Sequence, residues 1–215
     1  MIDRASRKKI TTSKRQEQIL KAALNVFVQK GYDAATIPEI AKSSGLAAGT
    51  LYIYYPSKRD LLITVIESLM VTPMVGIFKN QVNRDFPTTL KEAVTNRMAF
   101  LQGESLHNLL ALMGEIQRDA ELRTMFAEKL IRPFLGHMEN IYRAHVDSGE
   151  FRKLEPGIIV RLIGSMILGM SLLEMTEGET SPLSRISQEK LGEEIMNFIL
   201  FGLINNDKQF KQEKR

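Results

Sequence analysis

Few side chains in this sequence could do chemistry, and most of the familiar constellations are missing. His107, His137 and His145 are the only imidazoles, and the last two stand eight residues apart, beyond the spacing that brings two rings to one ion on a helix. There is no cysteine, so neither a thiolate metal site nor a thiol switch is expected. No Ser, His and Asp set sits at a nucleophile turn, and no glycine-rich loop is placed to cradle a phosphate. Catalysis, metals and cofactors are therefore not expected. One stretch differs. From Thr36 to Arg59 the hydroxyls of Thr36, Thr50, Tyr52, Tyr54 and Ser57 are interleaved with small Ala41, Gly45, Ala47, Ala48 and Gly49, and the stretch ends on Lys58-Arg59. Hydroxyls and cations bind phosphate, and small residues allow a close approach to base edges.

Helices must position these groups, since no stretch alternates apolar and polar residues for long. Ile19, Ala23, Val26 and Phe27 share one face of a helix expected over Lys14–Lys30, with Ser13 as its cap and Gly31 as its stop. Thr36-Ile37-Pro38-Glu39 has the pattern of a capping box, with proline tolerated in the first turn. Gly45 closes that second helix, and a third is expected over Ala47–Tyr55, ended by Pro56. Small Ala41, then Gly45 in the left-handed turn, then apolar Leu46 and Leu51 have the spacing of a helix-turn-helix. Its second helix would expose Ala47, Ala48, Thr50, Tyr52 and Tyr54 and read bases through apolar contacts and hydroxyls. Phosphate contacts would come from the helix N-termini at Thr36 and Ser57, from Lys58 and Arg59, and from a basic arm carrying Arg7, Lys8, Lys9, Lys14 and Arg15.

Residues 15 to 62, and above all Gly31 to Leu62, resemble the DNA-binding domain of the TetR/AcrR family of bacterial transcriptional regulators. Phe27, Gly31-Tyr32, Thr36, Ile40-Ala41, Gly45, Gly49-Thr50-Leu51-Tyr52, Tyr55 and Ser57-Lys58 keep that family's order and spacing. The resemblance implies that Thr36 and Lys58 bind phosphate, that Ala47, Ala48, Gly49 and Thr50 face the major groove, and that Tyr52 and Tyr54 contact backbone or bases. Ala47-Ala48 departs from the pattern, since many members carry a polar or basic residue there, which shifts readout toward Thr50, Tyr52 and Tyr54.

The expected fold is all-α: a three-helix DNA-binding domain over 1–56 with its basic arm, followed by a larger helical domain over 57–215. The fourth helix, capped by Ser57, runs on to Pro73, and breaks are expected at Phe86-Pro87 and Gly103-Glu104-Ser105. A long helix is expected over Asp119–Asp147, bent at Pro133. All ten methionines after the first, and nine of ten phenylalanines, fall in residues 61 to 215. Met98, Leu101, Leu109, Met113, Phe126, Leu130, Phe134, Met138, Met166 and Met170 sit at helical spacings that could line an apolar effector site. The last two helices, Pro156–Leu173 and Ser187–Ile204, are apolar over more than one stripe. Ile163, Ile167, Ile195, Phe198, Ile199 and Leu203 are the expected dimer contacts, as the resemblance also implies.

The charge pattern agrees. Residues 1 to 60 hold eleven Lys or Arg against five Asp or Glu, whereas residues 61 to 215 hold 18 against 20. Net charge is +4, so the positive excess lies entirely in the first module, as a polyanion-binding domain requires. Leu162 to Leu173, the longest uncharged apolar run, spans twelve residues, short of the roughly 20 a membrane crossing needs. No membrane span is expected, and the cytoplasm is the expected compartment. Together these features describe a homodimeric repressor, released from a palindromic double-stranded operator by a small apolar effector. Two readings stand beside it: an activator or architectural DNA binder on the same scaffold without a ligand, and an all-α hydrophobe carrier.

Overall fold

The computed structural model describes residues 4–79, 86–101 and 103–204, with side chains over 12–77, 87–101 and 104–204. No strand occurs among these residues; one isolated antiparallel bridge joins Phe151 to Ile204. The helices are α1 (Arg4–Lys30), α2 (Ile37–Ser44), α3 (Ala48–Tyr54), α4 (Lys58–Met70), α5 (Thr72–Lys79), α6 (Phe86–Phe100), α7 (Gly103–Arg118), α8 (Ala120–Phe126), α9 (Arg132–Asp147), α10 (Pro156–Glu177) and α11 (Gln188–Leu203).

Two boundaries differ most from the sequence expectation; in addition α10 runs four residues past Leu173, to Glu177, and α6 begins at Phe86. α1 starts at Arg4, ten residues before Lys14, so the expected arm is helical and Ser13 lies inside the helix instead of capping it. No glycine or proline interrupts RASRKKITTSKRQ, and its Arg, Lys, Gln and Ala are good helix formers, so a local capping preference at Ser13 yields to continuation. The long helix expected over 119–147 is divided: α8 passes through a π-helical turn, Ala127–Ile131, into α9, with Pro133 in its first turn. Proline removes one backbone donor and clashes with the preceding turn, and the widened turn accommodates that loss.

The chain forms two compact units, Met1–Pro73 with His107–Leu130, and Met74–Leu106 with Ile131–Arg215. Packing draws this division, whereas the division at residue 56 rests on the motif, and the two partitions differ. In the first unit α1 packs on α2 and α4, and α4 on α8. Ile19, Ala23 and Phe27 of α1, Ile40 and Ala41 of α2, Leu51 of α3 and Leu61, Leu62, Val65 and Ile66 of α4 form its core. In the second unit α11 packs on α6, and α10 on α9 and α6. Gly192 makes the α6–α11 approach possible: a Cβ there would come within 3.0 Å of Thr95 Oγ1.

α10 has the length and composition of a membrane span, with a mean hydropathy of 1.8 over an 18-residue window within Pro156–Thr180 and only 11% of that window buried. The twelve-residue uncharged run is shorter than the helix, because Arg161 and Glu174 bound the run without ending the helix. Only Ile167 and Ser171 of α10 are buried, while Ile158, Leu162, Leu168, Leu173 and Met175 are exposed.

Candidate nucleic-acid interface and the dimer face

The helix-turn-helix is built by its caps. Thr36 Oγ1 accepts from the Glu39 amide at 3.4 Å, and Glu39 Oε2 accepts from the Thr36 amide at 3.1 Å, which closes the capping box. Lys30 pairs with the same carboxylate and, with Thr36, holds it below its ordinary pKa. At the other end Gly45 takes φ 69°, the left-handed conformation glycine adopts without penalty. Its neighbour's amide, Leu46 N, then returns to the Ala41 carbonyl at 3.0 Å. The chain turns sharply there, and α3 leaves with Leu51 buried inward at 1% exposure. Tyr55 closes α3 from inside, and burial pushes its phenol up to about 12.

This geometry sets what α3 offers. Ala47 precedes it with no side-chain cap, Gly49 and Tyr52 are exposed, and Ala48, Thr50 and Tyr54 are half-buried. The more exposed of the helix's two exposed large apolar side chains is Ile53, at 80%, which is not among the residues expected from the sequence. Its signal was the helical angle: two residues beyond buried Leu51, it points about 200° away from it. Thr36 sits exposed at the α2 N-terminus, its hydroxyl donating to Glu39 Oε2 at 3.0 Å. Arg7, Lys8 and Lys9 lie in the first turns of α1, and their side chains fall outside the described residues.

Lys58 is placed differently from the phosphate role the resemblance implies. Its ammonium donates to the carbonyls of Tyr32 (2.7 Å), Asp33 (3.2 Å) and Ala35 (3.0 Å) and lies 4.3 Å from the Tyr32 ring centre. Those carbonyls belong to the α1–α2 connection, so Lys58 ties the start of α4 to the start of the reading motif. The next two residues tie it to the start of α8 and to the π-helical turn that follows α8. Arg59 pairs with Asp119 and Glu121, each at 3.1 Å, and Asp60 pairs with Lys129 at 2.7 Å while Ser57 donates to it at the same distance.

Lys129 and Ser57 hold the Asp60 carboxyl below its ordinary value of 3.8. A carboxylate with a lowered folded-state pKa stabilises the fold above its unfolded pKa, and that contribution is lost as pH falls through the folded value. Asp60→Asn should therefore melt slightly lower than the parent at pH 7, by about 1 kcal/mol or less for a pair this open to solvent. Melting curves between pH 7 and pH 2 should converge at the acidic end; a gap that persists undiminished at pH 2 would mean that the pair is not its source.

The dimer expectation needs correction. Ile167, Ile195, Ile199 and Leu203 are 4–5% exposed in the single protomer, so they belong to its core and not to a second chain's surface. Ile163 is half-buried. Of the six expected contacts Phe198 alone is exposed, at 69%, and it is joined by Phe201 at 80%. Helices apolar on all sides carry no periodic mark of which stripe faces inward, which explains the misassignment.

The residues expected at the effector divide between the units. Leu109, Met113, Phe126 and Leu130 lie in the first, and Met98, Leu101, Phe134, Met138, Met166 and Met170 in the second. Met98, Leu101, Leu109, Phe126 and Leu130 are buried, and the other five are half-buried. Among the described residues no group of His, Cys, Asp or Glu is placed to hold a metal ion.

A capped helical pair presenting a short outward helix, on a basic module joined to a second helical unit with an exposed apolar face, defines a helix-turn-helix DNA-binding regulator. Residues 19–65 match the profile of bacterial regulatory proteins of the tetR family. The fatty acid metabolism regulator protein of Bacillus subtilis is 31% identical over 161 residues, covering 71% of this chain and 77% of that protein. The chain belongs to the tetR family. Among solved structures, the FadR regulator of Bacillus subtilis in complex with stearoyl-CoA superposes with a TM-score of 0.65 at 22% identity, covering 86% of this chain and 98% of that one. FadR of Bacillus halodurans, a fatty acid degradation regulator, gives 0.67 at 22% over the same shares. The protein is thus a transcriptional regulator that binds operator DNA as a homodimer under the control of a small molecule.

Proposed function

We propose that this regulator represses genes of fatty-acid metabolism and is released from its operator by a long-chain acyl thioester of coenzyme A. The observation that carries the reading is the extent of the likeness to the fatty acid metabolism regulator: 161 matched residues cannot fit within the 19–65 motif, so the similarity reaches the effector domain. The second unit has suitable chemistry. Met98, Leu101, Phe134, Met138, Met166 and Met170 supply adaptable apolar surface for an acyl chain. Arg97, its guanidinium 5.0 Å from the Phe100 ring centre, is pushed down to about 10 by burial and stays cationic at neutral pH. A partly desolvated cation suits the phosphates of the carrier.

In this reading residues 1–56 read DNA, 57–215 bind the effector and dimerise, and the protein acts in the cytoplasm as a regulator and not as an enzyme. Thr36, Ala47, Ala48, Gly49, Thr50, Tyr52 and Tyr54 form the DNA face, with Arg7, Lys8 and Lys9 on the phosphates and Lys58 holding α4 in place. The effector must bind the DNA-incompetent arrangement more tightly, since equal affinity shifts nothing. The test is a fluorescence-anisotropy titration on the DNA upstream of its own gene, with stearoyl-CoA, free stearate and free coenzyme A as additions. Micromolar stearoyl-CoA should release the DNA and coenzyme A should not; tight DNA binding that no acyl thioester disturbs would overturn the assignment of the effector.

A further inference from the structure

The exposed large apolar side chains of the described residues are segregated. Ile158, Leu162, Leu173, Phe198 and Phe201 lie in the second unit; in the first unit only Tyr52 and Ile53 stand out, at 54% and 80%. Both are on α3. Packing within the protomer does not account for them, since α3 is held by Leu51 and Tyr55 on its opposite side.

The rest of α3 narrows what such a face can recognise. From Ala47 to Tyr55 there is no Asn, Gln, Arg, Lys, Asp or Glu. The paired hydrogen bonds by which an amide selects adenine or a guanidinium selects guanine are therefore impossible from this helix. Only the hydroxyls of Thr50, Tyr52 and Tyr54 remain as polar groups, because Tyr55 is buried. The major groove carries one apolar feature that distinguishes a base pair, the C5-methyl group of thymine. Resting on the DNA-binding function above, we propose that Ile53 is a specificity-determining residue that reads thymine by van der Waals contact with this methyl group. Each half-site then carries a thymine opposite Ile53.

The full-length protein, selecting from a random-sequence duplex library, supplies the probe. Each thymine of the enriched duplex is then replaced in turn by uracil, which pairs identically and lacks only the methyl. One position per half-site should lose about fourfold in affinity, the worth of one buried methyl group. Ile53→Ala should bind the thymine duplex more weakly by at least that factor, melt at the parent temperature, and no longer distinguish thymine from uracil there. Ile53→Val should recover part of the discrimination. If the parent is indifferent to uracil at every position, or if Ile53→Ala keeps the parent's affinity or its full uracil sensitivity, the inference is wrong. Failure to enrich any duplex would instead overturn DNA binding itself, and the inference with it.

Discussion

Replacing Phe198 and Phe201 together by glutamate is expected to reduce the solution mass from twice 24.4 kDa to 24.4 kDa and to abolish operator binding. The two rings are 69% and 80% exposed in the protomer, on the unit that also exposes Ile158, Leu162 and Leu173 of α10. Burying one such side chain contributes about 1.5–3 kcal/mol. A twofold interface uses each residue twice, so four rings contribute roughly 6–12 kcal/mol, and the introduced carboxylates would add a desolvation cost on top. Neither substitution removes a core contact, because the inward stripe of α11 is Leu191, Ile195, Ile199 and Leu203. Helix content by circular dichroism should therefore stay near the parent's while light scattering reports the monomer. DNA affinity should fall by more than a hundredfold, since a single short recognition helix spans too few base pairs to hold the duplex. An unchanged dimer mass would place the interface elsewhere.

Leu51→Ala is expected to have the opposite profile. The helix it belongs to has seven residues, too few to persist in water without tertiary support. Leu51 is 1% exposed and is the only buried residue within α3, with Tyr55 just beyond its end. Removing a buried leucine side chain costs about 2–5 kcal/mol, depending on how far the site collapses. The first unit should melt earlier by several degrees, and operator affinity should drop at least tenfold although no group facing DNA has been touched. Dimer mass should be unchanged, because nothing in α10 or α11 is altered. A variant that melts like the parent and binds DNA fully would show that α3 is held by something other than this contact.

These two variants also mark how far the sequence was legible. Local chemistry was readable: the Thr36 and Glu39 capping box, Gly45 in the left-handed turn and proline in the first turn of α2 all depend on residues within four positions of one another. So was the inward face of α3, because Leu51 is its one aliphatic side chain at the right distance from Ala41 and Gly45. Two kinds of feature escaped. Side chains whose partners are remote in sequence gave no signal, as with Lys58 bonded to the Tyr32, Asp33 and Ala35 carbonyls, or Lys129 to Asp60 across 69 residues. Helices apolar all round hid their orientation, so Ile167 and Ile195 were assigned outward while Phe201 was overlooked. Ile53 was missed for a simpler reason: an isoleucine in a short apolar helix reads as core until the angle to Leu51 is drawn.

That two copies of this chain read two half-sites of one duplex is tested most directly by a hydroxyl-radical footprint on the selected operator. Two protected segments related by a dyad are expected, centred about 34–36 Å apart or further along the same face, and they should vanish together in the Phe198 and Phe201 double variant. A single asymmetric protected segment that survives in that variant would contradict that arrangement.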